Sequence, residues 1–478
     1  MTAARPGISL GRVTTLLLIG RAAGYVLALV NSIIVARVLG VDRLGIYAYA
    51  MGVAALFGLL TNLGISTVVT RAVARDPDTG AGVVRAAVRV QALLAASLLI
   101  LVPAFAAVLP GQPAPLGYVG LAAAQLAIGT LSWPYLAVLS GRARYDRVAL
   151  VELAAGVGGT ASLLAAAALD GGVAAFLWAH VLATGVAVVI TRSLARPFLP
   201  RRGDAPRIGE LFREAAPFGA AAAVQGVYIR LDVLLLGQLA STSALGLYNV
   251  AYKPTNLAAY FGGTVAGALF PLMAQPATGA PVAFRRAVRG LGAAGPAMAL
   301  TLSGLAIPLL HTLYGTAFVA AAPILVLLAW SAAANWLYAP LGVALQARGE
   351  ERWWLASLAG ALVLNAAANV WAIPRWGAMG AAGATLASEG ALLLFVTGLV
   401  GRKLRILPSL RQVILGFGAT AGGALALWTL AGSGPIVATL GALVVYVALL
   451  GLFRLVTRED AVLVLGWLRQ AIPGSSRG

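Results

Sequence analysis

Residues 319–345, VAAAPILVLLAWSAAANWLYAPLGVAL, run without one charged side chain. A helix needs about 20 such residues to cross the hydrocarbon core of a bilayer. Roughly fourteen stretches of this kind follow one another along the chain, separated by glycine, proline and charged residues. They lie near 11–38, 45–69, 83–109, 117–140, 147–169, 173–195, 213–240, 247–272, 288–311, 319–345, 353–373, 378–400, 410–431 and 435–456. The sequence therefore predicts an all-α polytopic membrane protein with about fourteen transmembrane helices.

The composition agrees with this fold class. Of 478 residues, 60% are apolar and 10% are charged, whereas soluble domains are about 45–50% apolar and about 25% charged. A water-soluble enzyme, a disordered chain and a repeat solenoid are therefore excluded. The chain has no cysteine and only two histidines, His180 and His311, so disulfides and thiolate metal sites are impossible. We expect no metal and no cofactor.

The positive charge predicts the orientation in the membrane. Of the 34 basic residues, Arg37, Arg43 and Arg375 lie at one set of helix ends, and Arg21, Arg230 and Lys253 lie inside spans. With fourteen spans, the other 28 basic residues all lie on the same side of the membrane as the N-terminus. Since cytoplasmic loops of membrane proteins are rich in Lys and Arg, both termini are predicted to be cytoplasmic. A basic cytoplasmic face attracts anionic lipids, so the net charge of +19 does not require nucleic acid as a partner.

Motifs of energy-driven and hydrolytic enzymes are missing from the sequence. It contains no GxxxxGK[ST] phosphate loop and no HExxH zinc motif. It also lacks a connector long enough to house a catalytic domain. The prediction is that the protein is not an enzyme, has no catalytic residues and draws any energy from a gradient.

A short motif recurs in the two halves of the chain. Leu44-Gly45-Ile46-Tyr47 returns 201 positions later as Leu245-Gly246-Leu247-Tyr248. The longest cytoplasmic connector lies between the copies, so each half holds six spans and has the same predicted orientation. Parallel repeats of this kind are a transporter architecture. We predict an N-terminal lobe over 1–200, a linker over 201–212, a C-terminal lobe over 213–400, two extra helices over 401–456 and a tail over 457–478.

Three groups of residues resemble Wzx-type polysaccharide flippases of the multidrug/oligosaccharidyl-lipid/polysaccharide (MOP) exporter superfamily, in the right order and spacing. The groups are Val35–Gly40 with Leu44–Tyr47, Asn62–Gly64 and Arg71; Arg230–Gly237 with Leu245–Tyr248 and Ala251–Lys253; and Asn365–Asn369 with Ile373-Pro374, Gly377 and Gly380–Ala384.

The resemblance implies two helical lobes around a central cavity and transport by alternating access. It implies that an undecaprenyl-pyrophosphate-linked oligosaccharide moves from the inner to the outer leaflet of the bacterial cytoplasmic membrane. Membrane lipids are expected partners. A polysaccharide polymerase and other assembly proteins are further partners that the resemblance implies. The alternatives are a lipid II flippase or an ion-coupled multidrug exporter of this superfamily, a membrane glycan ligase or polymerase, and a non-transporting scaffold.

Charged side chains inside spans are the leading site candidates, because each costs about 2.5–3.5 kcal/mol to insert. Arg21, Arg230 and Lys253 are candidates for binding the anionic head group. Asp232 and Glu389 are candidates for ion coupling or for salt bridges. For Asp232 we favour a purely structural pair with Lys253 over ion coupling, since the two residues lie on consecutive antiparallel helices.

Polar and aromatic side chains within span 319–345 are candidates for contacting sugar. Asn335, Trp336 and Tyr338 combine rings on which sugars stack with an amide that hydrogen-bonds. The alternative is ordinary helix packing. His180 is expected to be a packed, hydrogen-bonded histidine.

Overall fold

The computed structural model describes residues 10–76, 80–200, 202, 209–210, 213, 226, 228, 230–267, 269–270, 273, 280–404 and 410–455. Within these ranges the chain is helical between short turns and contains no strand. It divides into two units, Met1–Asn249 and Val250–Gly478. The predicted lobe boundaries remain a prediction, and most of the predicted linker and the whole tail lie outside the described residues.

Eight helices can be given continuous ranges among the described residues of the first unit. They are α1 (Leu10–Leu56), α2 (Ile65–Arg75), α3 (Ala81–Val108), α4 (Leu116–Thr130), α5 (Trp133–Gly141), α6 (Tyr145–Ala168), α7 (Gly172–Ala195) and α8 (230–239). Short 3-10 turns at Phe57–Thr61 and Arg196–Phe198 follow α1 and α7.

The second unit continues from α9, which begins in the first. Its helices are α9 (Thr242–Gly267), α10 (Ala280–Gly304), α11 (Ala306–Tyr314), α12 (Ala322–Ala347), α13 (Glu351–Lys403), α14 (Leu410–Thr429) and α15 (Pro435–Leu452). Further 3-10 turns lie at Thr316–Ala321 and Ala431–Ser433.

Glycine interrupts the two longest helices. Gly40 (φ 70°) divides α1, and Gly377 (φ 53°) divides α13. Positive φ is easily adopted only by glycine, so each position lets one continuous helical run change direction. Both breaks fall in the predicted gaps between spans, at 38–45 and 373–378.

Helices of membrane-spanning length dominate the described residues. Eight are long and apolar enough to cross a bilayer, and the pair Phe284–Gly304 and Ala306–Tyr314, bent by 64°, makes a ninth candidate. Large apolar side chains point outward, among them Ile100 (70% exposed) and Val444 (68%). An apolar exterior suits lipid as solvent, and the predicted all-α polytopic membrane fold is confirmed.

Small residues let the helices approach closely. A methyl group added at Gly141 would lie 2.8 Å from the backbone oxygen of Thr70, and one added at Gly423 would lie 3.1 Å from Cβ of Tyr446. Lipid tails are as apolar as the side chains, so close van der Waals contact, rather than escape from water, holds such helices together.

Candidate functional site

The two copies of the repeated motif contact each other through their glycines. A methyl group on Gly45 would lie 1.9 Å from the carbonyl oxygen of Thr242, and one on Gly246 would lie 2.1 Å from the carbonyl oxygen of Val41. Val41 and Thr242 are themselves 201 positions apart, so the contact is reciprocal. Ser243 also donates a hydrogen bond to Asp42, the residue at its equivalent position. These contacts explain why glycine occupies this motif position twice.

The tyrosines of the motif each bond a titratable side chain. Tyr248 donates from Oη to Oδ2 of Asp232 at 2.8 Å, and both side chains are buried. Tyr47 forms a 2.6 Å hydrogen bond with Nε2 of His180, and the two rings stack with centroids 6.0 Å apart. The equivalent tyrosines of the two copies thus bond different partners, a buried aspartate in one copy and a histidine in the other.

Sequence reasoning missed Asn31, which is polar but uncharged. It accepts a 2.7 Å hydrogen bond at Oδ1 from Thr160 of α6. The repeat offset of 201 positions aligns Asn31 with Asp232, and this alignment is the signal that could have found it. Gln238 of α8 is a second uncharged polar residue that sequence reasoning missed, and its side chain donates to Tyr49 Oη of α1 at 2.5 Å.

Gln91 of α3 was also missed. Its side chain is 1% exposed, and neither amide atom has a hydrogen-bond partner within the described part of the chain. A buried polar group without a partner costs free energy. No pattern in the sequence distinguishes this glutamine from one that faces solvent.

The predicted cations lie in different surroundings. Arg230 is exposed while Asp232 is buried, as expected for residues about 200° apart on a helix. Lys253 is half-buried on α9, five residues after Tyr248. The backbone of Arg21 belongs to α1, but its side chain lies outside the described residues. Their roles in binding stay predictions.

The three predicted sugar contacts on α12 are largely engaged by the protein. Asn335 is half-buried and donates from Nδ2 to Tyr338 Oη at 2.7 Å. Trp336 donates from Nε1 to the carbonyl oxygen of Ala258 at 2.8 Å. Tyr338 is 5% exposed and stands 6.2 Å from the Trp354 ring. Trp336 and Tyr338 contact neighbouring helices, and of the three residues Asn335 and Trp336 are half-buried while Tyr338 is buried.

A buried polar cluster joins the two arms of α13. Asn365 donates from Nδ2 to Ser388 Oγ at 3.0 Å, and Asn369 donates to Asn365 Oδ1 at 2.9 Å. Glu389, 9% exposed, follows Ser388 directly. The cluster supplies amides at the level where the arms touch, and the buried Glu389 is next to it in the sequence.

The turn between α5 and α6 carries one of the predicted basic loops. Arg144 donates to Asp146 at 2.6 Å and 2.8 Å, and its guanidinium lies 4.5 Å from the centre of the Phe198 ring. The hydrogen bond to Asp146 raises the pKa of the Arg144 guanidinium. This turn is thus tied to the end of α7.

Among the described residues, no group of three or more His, Asp or Glu side chains is placed to hold a metal ion.

Comparison with solved structures shows the fold. The inward closed form of the lipid II flippase MurJ matches with a TM-score of 0.73 at 13% identity, covering 94% of this chain and 99% of that one. An inward-facing multidrug MATE transporter of the MOP superfamily matches with a TM-score of 0.58 at 17% identity, covering 82% and 98%. A MOP superfamily transporter from Pyrococcus furiosus matches at 0.54 and 16%, covering 82% and 95%.

Sequence comparison shows the family. No curated protein sequence matches this chain. A family model described as polysaccharide biosynthesis protein matches residues 34–323, a range that includes both copies of the repeated motif. With that match over more than half of its length and the fold of MOP superfamily transporters, the chain belongs to the polysaccharide biosynthesis protein family.

Proposed function

We propose that the protein is a flippase that moves a polyprenyl-pyrophosphate-linked oligosaccharide from the inner to the outer leaflet of the bacterial cytoplasmic membrane. Alternating access of a cationic central cavity would carry the polar head while the lipid tail stays in the bilayer. In this proposal both termini are cytoplasmic, and the protein works beside a polysaccharide polymerase and other assembly proteins. The step is transport, with no covalent chemistry by this chain.

The family match over residues 34–323 is the observation that carries the proposal. It covers both copies of the repeated motif and their reciprocal contact. The likeness in fold to a lipid II flippase supports a lipid-linked cargo, because the same fold serves that protein.

The charge chemistry supports an anionic head group. Arg21, Arg230 and Lys253 are cations within apolar helices, where a charge normally faces the interior of the bundle or water. An arginine grips a phosphate with two parallel hydrogen bonds. In the described part of the chain Arg230 has the exposed surface that such a contact needs.

Asn335, Trp336 and Tyr338 are our candidates for contact with the sugar, and Trp336 and Tyr338 also contact neighbouring helices. The hydrogen bond from Asn335 to Tyr338 uses one amide proton, and the amide oxygen and second proton remain for sugar hydroxyls. Trp336 keeps α12 against α9 through Ala258.

Asp232 and Glu389 are candidates for ion coupling or for salt bridges, and the bond from Tyr248 holds Asp232 in place.

The proposal is tested by deleting the gene and assaying surface polysaccharide together with undecaprenyl-linked glycans. We expect loss of the surface polymer and accumulation of intact lipid-linked units on the inner leaflet. Arg230→Ala should restore transport at least about tenfold less well than the wild-type gene, because a charge-assisted contact is lost. Arg402→Ala, an exposed arginine at the cytoplasmic end of α13, is the matched control and should complement fully.

Different outcomes would favour the alternatives. Unchanged surface polymer with failing peptidoglycan synthesis would identify lipid II as the cargo, and a change confined to drug susceptibility would identify an exporter. Loss of polymer with normal movement of lipid-linked units to the outer leaflet would indicate a ligase or polymerase. Each of these results would contradict the proposed substrate.

A further inference from the structure

The helix α13 is a hairpin whose arms are pressed together near the turn at Gly377. A methyl group on Gly380 would lie 2.3 Å from the carbonyl oxygen of Ala372, and Asn365 bonds Ser388 at 3.0 Å. In each pair the two residues lie at similar distances along the sequence from the turn, as expected for antiparallel arms. The arms are therefore in contact from the turn down to the buried amides.

A groove with a volume of about 340 Å³ runs along this hairpin. Trp371 and Trp376 line it next to the turn, and Gly380, Gly383 and Ala387 line it further along. A methyl group on Gly383 would meet open space. From Met379 to Ala387 the groove follows about 12 Å of helix at 1.5 Å per residue, which is close to the half-thickness of the ~30 Å hydrocarbon core.

A fixed cation stands at the mouth of the groove. The guanidinium of Arg375 lies 4.8 Å from the centre of the Trp371 ring, and its Nη1 donates to the carbonyl oxygen of Trp371 at 2.5 Å. Trp371 and Trp376 meet edge to face at 5.1 Å, and each is 55% exposed. Arg375 is exposed and forms no ion pair with any residue that the structure describes.

The order of these features along the hairpin is that of a lipid molecule. The cation lies together with the amphipathic tryptophans, which favour the level of the lipid head groups, and a smooth apolar channel follows. Four of the five guanidinium donors remain for an anion. The unneutralised charge selects a lipid whose head group is anionic.

We propose that this groove binds an anionic phospholipid, with its phosphate on Arg375 and one acyl chain lying against Gly380, Gly383 and Ala387. In the predicted orientation the site is in the outer leaflet. It does not depend on the flippase proposal, since it is built within one hairpin.

Native mass spectrometry of the full chain in detergent tests the site, with phosphatidylglycerol and phosphatidylethanolamine as probes. The wild-type protein should retain phosphatidylglycerol more strongly than phosphatidylethanolamine. Arg375→Gln should weaken that binding about tenfold and weaken the binding of phosphatidylethanolamine less, so that the preference is lost. Gly383→Leu fills the groove and should weaken retention of both lipids.

The control is Arg352→Gln at the other end of the same hairpin. Arg352 also lies over a tryptophan, 5.8 Å from the Trp353 ring, but it does not border the groove, so its replacement should change nothing. Size-exclusion profiles and melting temperatures verify that all variants are folded. The proposal is wrong if Arg375→Gln leaves the preference intact, if Gly383→Leu has no effect, or if polyprenyl phosphate displaces phosphatidylglycerol from the wild type at equal concentration.

Discussion

Tyr47 and Tyr248 show how one repeated side chain is used in two ways. Each lies at the same motif position, but Tyr248 bonds a buried carboxylate and Tyr47 bonds a half-buried histidine. A hydrogen bond to a charged group contributes about 1.5–3 kcal/mol, against about 0.5–1.5 kcal/mol for a neutral pair. Because Asp232 is buried, we expect the Tyr248–Asp232 bond to contribute more to stability than the Tyr47–His180 bond.

Replacement of either tyrosine tests this difference. Tyr248→Phe removes the phenol and keeps the ring, so we expect a clear fall in the melting temperature of the purified protein, corresponding to about 1.5–3 kcal/mol. Tyr47→Phe is the matched variant and should lower the melting temperature less. Equal shifts would mean that Asp232 does not depend on Tyr248.

At the scale of the element, glycine positions decide how helices start and cross. Gly40 and Gly377 redirect α1 and α13 through positive φ. Gly45 and Gly246 instead permit backbone-to-backbone contact between the turns that open the two motif copies. The first role needs the backbone freedom of glycine, and the second needs the absence of a Cβ atom.

Gly45→Ala and Gly246→Ala should both disrupt the first unit. The added methyl groups would stand 1.9 Å and 2.1 Å from carbonyl oxygens, so the turns must move apart, and we expect a loss of about 3 kcal/mol or more. Fluorescence-detected size-exclusion chromatography should show little monodisperse protein. Gly185→Ala, on α7 with open space around it, should elute like wild type, and normal profiles for Gly45→Ala would refute the close contact.

At the scale of the whole molecule, the predicted orientation rests on the unequal distribution of basic residues. The chain contains no cysteine, so a single introduced cysteine is labelled without background. Ser433 is exposed in the turn before α15, and Glu351 is exposed at the start of α13. The positive-inside rule places the first outside and the second inside.

Labelling of intact cells with a membrane-impermeant maleimide checks this placement. Ser433→Cys should react in intact cells, and Glu351→Cys should react only after the membrane is opened. The reverse pattern would invert the topology, and with it the direction of transport in the flippase proposal.

The sequence alone was sufficient to predict the class of molecule, the gaps between spans in which Gly40 and Gly377 lie, and the charged residues within the spans. These follow from local properties, namely uninterrupted apolar length, backbone freedom and the cost of charge in lipid. The repeat offset also identified the positions of Gly45 and Gly246, although not their mutual contact.

Which side chains contact one another depends on the tertiary packing. Tyr47 and His180 are 133 positions apart, and Asn31 and Thr160 are 129 apart. Nearly every face of these helices is apolar, so periodicity does not reveal which face turns inward, as it does for an amphipathic helix in water. Helix rotation is set by the fit of small residues and by a few polar bonds. The engagement of Trp336 by Ala258 and the groove beside Arg375 both follow from that packing.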